Sequence, residues 1–380
     1  MATRYKIISA KDVDTDGTLA ANSDTKIASQ KAVKTYADNI SYGMARQAIM
    51  NGNFDVWQRG TNMNITVDGS FFLTDRWVEV FAKDGGTYPT ITCTQQLLTS
   101  GDIAGAKYFH RLATNGAGSS FGVNSYGLIT QRIENGTSKL CGLNKKVTVS
   151  FFARSSITNK RITPTLTQIY GTGGSPSAAE PILGTPITLT STWTKYTATF
   201  TTNTLVGKTF GTAGDDYLAL NLWNQWGTTI GNAQVQSSVT AESYVGAGNI
   251  DIAQVQLCSG DVALPFQPKS FEEELRACQR YYERPYFIGA AFPSDGQTAL
   301  QRAVNYSSGT TSICLTVQYK VEKRIAPNGV GKVRYDINDG AATTGNMANS
   351  TTGIFWFGSG LNISAGQYVD LHDWEADAEL

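Results

Sequence analysis

The sequence predicts a mostly β protein: an N-terminal helical anchor, a large two-sheet sandwich, a short connecting helix and a C-terminal β-sandwich-like domain. Three observations point there. Short apolar runs alternate with period two, polar turns rich in Gly, Thr, Ser and Asn separate them, and amphipathic helical stripes occur near residues 29–44 and 271–282. At 380 residues the chain has room for two or three domains, each with its own core.

Residues 1–45 differ from the rest of the chain. Asp12 to Gly17 begins like a calcium-binding loop, but Ser23 stands where the bidentate Glu is required, so an Asp/Gly turn is the better reading. Ser29 is placed to N-cap a helix reaching about Met44. Ala32, Val33, Tyr36, Ile40 and Met44 would share one face, opposite Lys31, Lys34 and Asp38. A lone helix of this length is marginal, so the stripe is expected to dock on a partner or on copies of itself.

Residues 46–268 carry the sandwich pattern. Val147, Val149, Phe151 and Ala153 share one face, as do Tyr196, Ala198 and Phe200, and then Ala253, Val255 and Leu257. Residues 269–284 form the connecting helix. Ser270 and Glu273 make a capping box, and Phe271, Leu275, Cys278 and Tyr282 make the apolar stripe. The glutamates at 272–274 sit at the positive end of its dipole. Residues 285–380 form the last β unit, with Ile313, Leu315, Val317, Tyr319 and Val321 alternating and further strands near 353–357 and 367–371.

Composition excludes several functions. Charged residues make up 16% and the formal net charge is zero, without the basic stripe of a nucleic-acid binder. No run approaches the roughly 20 apolar residues of a membrane span. MATRYKIISAKD lacks the apolar core of a signal peptide, so no cleaved export signal is expected. Asn64, Asn135 and Asn362 head glycosylation triplets, but without export these read as chance. Five cysteines lie far apart with no CxxC pair, and His110 and His372 are the only histidines. Buried free thiols in a reducing compartment are expected, with no zinc site and no cofactor. His110, amid Tyr108, Phe109 and Leu112, reads as core.

Catalysis finds little support. GxSxG, HExxH and P-loop patterns are absent, and Gly116-Ala117-Gly118 has the wrong context for a dinucleotide turn. Asp215, Asp216, Asp251 and Asp261 are acids without a distinguishing pattern, so no catalytic residue and no metal ligand is assigned.

Binding rests on strand parity. Leu218, Leu220 and Leu222 must face the dry core, which sends Tyr217, Asn221 and Trp223 outward, with Trp226 in the following turn. An aromatic ring covers the apolar face of a sugar while amides bond its hydroxyls. Burial under a neighbouring subunit or the connecting helix is the competing reading. A second patch holds Tyr368, Asp370, His372 and Trp374, opposite Val369 and Leu371. It reads as a receptor tip or as the seam of an oligomer, while Trp356 has no assignable face. Trp57, Trp77 and Trp193 lie in phrases that resemble a known β-sandwich framework, quoted below, and that resemblance implies packing rather than ligand contact. Arg59, Asp75 and Arg76 are expected to pair among themselves across the first strands, contributing roughly 0–1 kcal/mol.

The phrases NGNFDVWQRG and TDRW, with VTVSFFARS, STWTKYTATF and IDIAQVQLCSG, resemble a carbohydrate-binding-module-like jelly roll in tailed-phage tail fibres and receptor-binding proteins. LAANSDTKIASQKAVKTYAD resembles a connector near the start of such fibres, with Ala28 where relatives often have Pro, and FQPKSFEEELRACQRYYERPY resembles the helix after the jelly roll. The similarity covers about residues 12–80 and 145–285. It implies a homotrimer in the virion, assembled in the host cytoplasm. Residues 1–45 would attach to a phage tail or collar protein, and the chain would adhere to a bacterial surface glycan without catalysis. Val33, Tyr36, Ile40, Met44, Phe271, Leu275, Cys278 and Tyr282 become candidates for oligomerisation and attachment. A purely structural tail or baseplate component and a polysaccharide depolymerase tailspike are the alternatives.

Overall fold

The computed structural model describes residues 10–15, 26–30, 32–33, 43–285, 301–304, 310–327, 332–337, 343–346, 348–362 and 364–380. Two large antiparallel sheets dominate. The first runs, edge to edge, through Glu180–Ile182, Arg161–Ile169, Tyr217–Trp226, Tyr126–Glu134, Val78–Ala82 and Gly69–Phe72, with Ile187–Thr188 also paired to Arg161–Ile169. The second runs through Thr194–Thr201, Lys146–Ser155, Ala247–Ser259, Tyr108–Asn115, Ile91–Leu97 and Asn62–Ile65. No described helix is long and apolar enough to cross a membrane.

The dry layer between the sheets takes Ile129, Ile133, Leu166, Leu218, Leu220 and Leu222 from the first sheet. Val147, Val149, Phe151, Ala153, Leu112, Val255 and Leu257 face them from the second. Period-two alternation produces both faces, and Phe200, Tyr196 and Ala198 join as expected. Ala253 departs from its expected face. A register shift between Ala253 and Gln256 marks a bulge, with Gln254 at φ 47°. The extra residue turns Ala253 outward, where it packs with Phe109, Leu98 and Ile103.

The opening segment packs onto this bulge. Val255 N–H donates to Gly52 O across 2.9 Å, and a Cβ on Gly52 would lie 2.1 Å from Val255 O, so only glycine fits. Asn51, at φ 51°, donates from Nδ2 to Val56 O (2.8 Å) and Asp75 O (3.1 Å), and its backbone N–H donates to Glu274 Oε1 (2.6 Å). That last bond docks the connecting helix. Phe54, Trp57 and Trp77 are core residues. Trp193 packs outside the second sheet, edge-on to Phe109 at 5.2 Å.

The capping box of Ser270 and Glu273 forms, and the helix spans Phe271–Gln279. It ends before Tyr282, which the apolar stripe had included. Tyr282–Glu283 is instead a strand paired to Ala376 and Asp377. Tyr282–Glu283, Tyr368–Asp377, Lys332–Ile337 and Thr343–Asn346 form one C-terminal sheet, which Gln301–Val304 joins. Thr310–Gln318, Gly353–Asn362 and Ala348–Asn349 form another. Of the helical anchor expected from Ser29 to about Met44, residues 31 and 34–42 lie outside the described residues, and the described ones are helical only at 30, 32 and 33 and at Gly43–Arg46. Ser29 Oγ accepts from Ala32 N–H at 3.0 Å, as a cap does.

Arg59, Asp75 and Arg76 do not pair with one another as expected. Arg59 donates to Asp377 (3.0 Å) and Glu379 (3.4 Å). Arg76 pairs with Glu379, donates to Arg132 O at 2.7 Å, and stacks on Tyr281 at 3.5 Å. Asp75 accepts from Gln58 N–H (2.6 Å) and Gln58 Nε2 (2.7 Å). Burial lifts the Asp75 carboxyl to about 6, against Arg59 and the two Gln58 bonds. Arg324 Nε donates to Ala378 O (3.1 Å) and its Nη2 to Glu379 O (3.0 Å). The TDRW motif thus helps to seat residues 377–380 on the sandwich.

Candidate functional site

Strand parity orients Tyr217, Asn221 and Trp223 away from the core leucines, but the structure does not leave all three open. Trp223 is 5% exposed and Trp226 is 0% exposed. The helix Thr228–Gln234 follows their strand, and Val235 and Val239 pack with Trp223, Trp226 and Leu128 in a satellite core. Sequence parity fixes a face, but not whether later residues cover it. Trp223 Nε1 donates to Thr165 Oγ1 (2.9 Å), and Trp226 Nε1 donates to Thr240 O (3.0 Å). Trp226 also belongs to the strand itself, not to the turn after it. Asn221 accepts from Thr130 Oγ1 (2.7 Å) and donates to Thr167 Oγ1 (3.2 Å). Tyr217 is half-buried under Arg132, whose guanidinium lies 5.4 Å from its ring centre.

Two residues of the C-terminal patch, Asp370 and Trp374, are also buried. Asp370 is buried and bonds Arg302 through both oxygens, at 2.7 and 2.5 Å. Arg302 lies 3.8 Å over the Tyr368 ring. A register shift skips His372: Asp373 pairs with Arg334 and Leu371 with Tyr335. The alternation breaks there, and Trp374 is buried against Tyr319 at 5.6 Å. The His372 side chain lies outside the described residues.

Among the attachment candidates, Tyr36 and Ile40 lie outside the described residues. Val33 is exposed, while Met44 packs partly against the sandwich core. Cys278 and Tyr282 are buried within the chain, Leu275 is half-buried, and Phe271 is 47% exposed. Cys93, Cys141, Cys258 and Cys278 are free and buried.

Phe271 borders a groove of about 730 Å³, lined also by Asn53, Asp55, Gln95, Lys107, Tyr108 and Lys269. The strand Ile91–Leu97 supplies Gln95, and three further segments complete the walls. The NGNFD turn alternates, sending Phe54 inward and Asn53 and Asp55 toward the groove. The loop 98–107 forms one wall, held by Asn53 Nδ2 to Gly105 O (3.0 Å) and Gln254 Nε2 to Ala104 O (2.7 Å). The capped start of the connecting helix supplies Phe271.

The groove is chemically mixed. Gln95 Nε2 donates to Phe54 O (3.1 Å), while Asn53 Oδ1 is buried with no hydrogen-bond partner among the described residues. Burial, then the charge of Glu274, pushes the Asp55 carboxyl up to about 6, with Asn53 and Lys107 partly offsetting them. Asp55 is the one carboxylate lining this groove among the described residues. A second cavity of about 420 Å³ lies beside Trp226 and Glu242, but there Glu242 is engaged by Lys160 and Arg161. Sequence reading treated NGNFD through its aromatics and missed the polar positions between them. Their alternation with Phe54 was the available signal.

No family model matches this chain, and no curated protein does. Solved carbohydrate-binding modules are distantly similar. The N-terminal cellulose-binding domain of β-1,4-glucanase C from Cellulomonas fimi is 15% identical, with 54% of this chain and 97% of that one covered and a TM-score of 0.29. A family 11 carbohydrate-binding module from Clostridium thermocellum, in complex with a β-1,3-1,4-mixed-linked tetrasaccharide, is 11% identical over 52% and 96%, with a TM-score of 0.27. The CBM22-1 xylan-binding domain of Xyn10C from Paenibacillus barcinonensis is 10% identical over 54% and 99%, with a TM-score of 0.25. Similarity at this level assigns no ligand. The tail-fibre resemblance rests on the quoted sequence phrases alone.

Proposed function

We propose that this chain binds a glycan without cleaving it, and that it serves as a receptor-binding protein of a phage tail fibre. The observation that carries the binding reading is the groove at Phe271, where an exposed ring, the Tyr108 ring, two amides and one carboxylate converge in about 730 Å³. Pockets of ~300–1,000 Å³ with a few placed polar groups suit small ligands. Phe271 and Tyr108 would stack on sugar C–H faces, and Asn53, Gln95 and Asp55 would bond hydroxyls. Asp55 alone among the described lining residues is a carboxylate, whereas glycoside hydrolysis normally uses a pair.

The virion role, the homotrimer and attachment to a tail or collar protein through residues 1–45 are readings of the resemblance. Three linked sites would make weak sugar affinity useful, since avidity can exceed single-site affinity by ~10²–10⁴. The purified full chain, tested on host-surface polysaccharides, should bind in a Phe271-dependent way and release no reducing ends. Absence of binding to any of them would favour a structural tail component, and released reducing ends a depolymerase. Cross-linking of residues 1–45 to another tail protein in purified particles tests the virion role.

A further inference from the structure

Away from the groove, three side chains with metal-ligand chemistry meet between the two sheets. Glu79 comes from Val78–Ala82 of the first sheet, while Cys93 and His110 come from neighbouring strands of the second. Cys93 pairs with Leu112 and Gln95 with His110, so Cys93 and His110 are diagonal neighbours on one face. One ligand atom from each of the three lies within 4.8 Å of the other two. Glu79 is 3%, Cys93 0% and His110 1% exposed.

Hydrogen bonding does not explain this cluster. His110 Nε2 lies 2.8 Å from Glu79 Oε1. Even so, neither Glu79 oxygen nor His110 Nδ1 has a hydrogen bond of acceptable geometry among the described residues. A buried carboxylate in that condition is costly. Close but misaligned atoms are what two ligands give when both aim at a common third point.

We propose that Glu79, Cys93 and His110 form a buried Zn²⁺ site that ties the two sheets together. A carboxylate and a thiolate balance the double charge of the ion beside a neutral imidazole, leaving a net-neutral centre in a dry layer. Thiolate and imidazole together favour zinc over calcium or magnesium. As the S–Zn bond forms, the Cys93 S–H proton leaves to solvent, with no change of oxidation state. Trp57 stacks on the imidazole at 5.9 Å and Phe54 lies at 5.6 Å, which fixes the ring. Sequence spacing concealed the site because its ligands lie on three strands of two sheets. It is independent of the glycan reading.

Metal analysis decides the matter. The full chain, produced with zinc in the medium and desalted without chelator, should carry about one Zn²⁺ per chain, and Cys93→Ser should lower occupancy at least about tenfold. Co²⁺ added to chelator-stripped wild-type protein should give visible d–d and thiolate-to-cobalt bands. That spectrum decides the question even where Cys93→Ser does not fold. Wild-type protein that carries no zinc and gives no cobalt bands would overturn the site, as would folded Cys93→Ser with undiminished zinc.

Discussion

Arg59 donates to the Asp377 carboxylate across 3.0 Å, joining residues 318 positions apart in the chain. The same guanidinium lies 3.5 Å over the Tyr282 ring. Burial opposes the charge of Arg59, and Asp377 and Glu379 more than restore it, raising its pKa. Removing one partner of a buried pair typically costs about 3–5 kcal/mol because the other charge stays behind. Glu379→Ala should therefore destabilise the chain by a few kcal/mol, and Arg76→Ala/Glu379→Ala together by less than the sum of the single changes. Chemical denaturation of the four proteins measures this coupling.

Phe271→Ala and Asn53→Ala should each weaken glycan binding by about tenfold or more, roughly 1.4 kcal/mol. Phe271 is half exposed, so its removal should change stability little. Calorimetric titration with the best polysaccharide from a binding panel checks both. Unchanged affinity in Phe271→Ala would remove the groove from the proposal.

Trp223→Ala should behave in the opposite way. The ring is nearly fully buried beside Tyr126 and Val239, so truncation should cost about 3–5 kcal/mol. Protein that remains folded should keep its glycan affinity, read by the same titration.

Asp55 predicts a pH dependence. Its folded carboxyl sits at about 6, above the unfolded value of ~3.9, so between these values the folded chain holds a proton that the unfolded chain releases. Stability from this group falls as pH rises through that window, and above it the ionised carboxylate carries a constant cost. Asp55→Asn should raise the melting temperature more at pH 7.5 than at pH 4. Scanning calorimetry at the two pH values tests the sign.

Gly52→Ala should be severely destabilising, because the new methyl would meet the backbone oxygen of Val255 at 2.1 Å, with the Phe266 ring 3.4 Å away. Soluble expression and thermal unfolding report it directly.

The sandwich was legible because period-two alternation is local: Val147 to Ala153 shows its buried face within seven residues. The capping box at Ser270 was legible for the same reason. Bulges at Gln254 and His372 were not, since one inserted residue reverses parity without altering composition. The groove joins Asn53, Lys107 and Phe271, whose proximity depends on how three distant segments pack. Burial of Trp223 likewise depends on a helix that parity does not see. The partners of Arg59 and Arg76 lie some three hundred residues away, beyond any local pattern.

That distance has a consequence during synthesis. At ~5–20 residues per second, the partners of Arg59 emerge roughly 15–60 s after it. Through that interval the cationic seat stands open while the strands around it are already collapsing. On a crowded polysome the 377–379 segment of a sister chain can reach it first. Exchange of this segment between copies is then one route to misassembly.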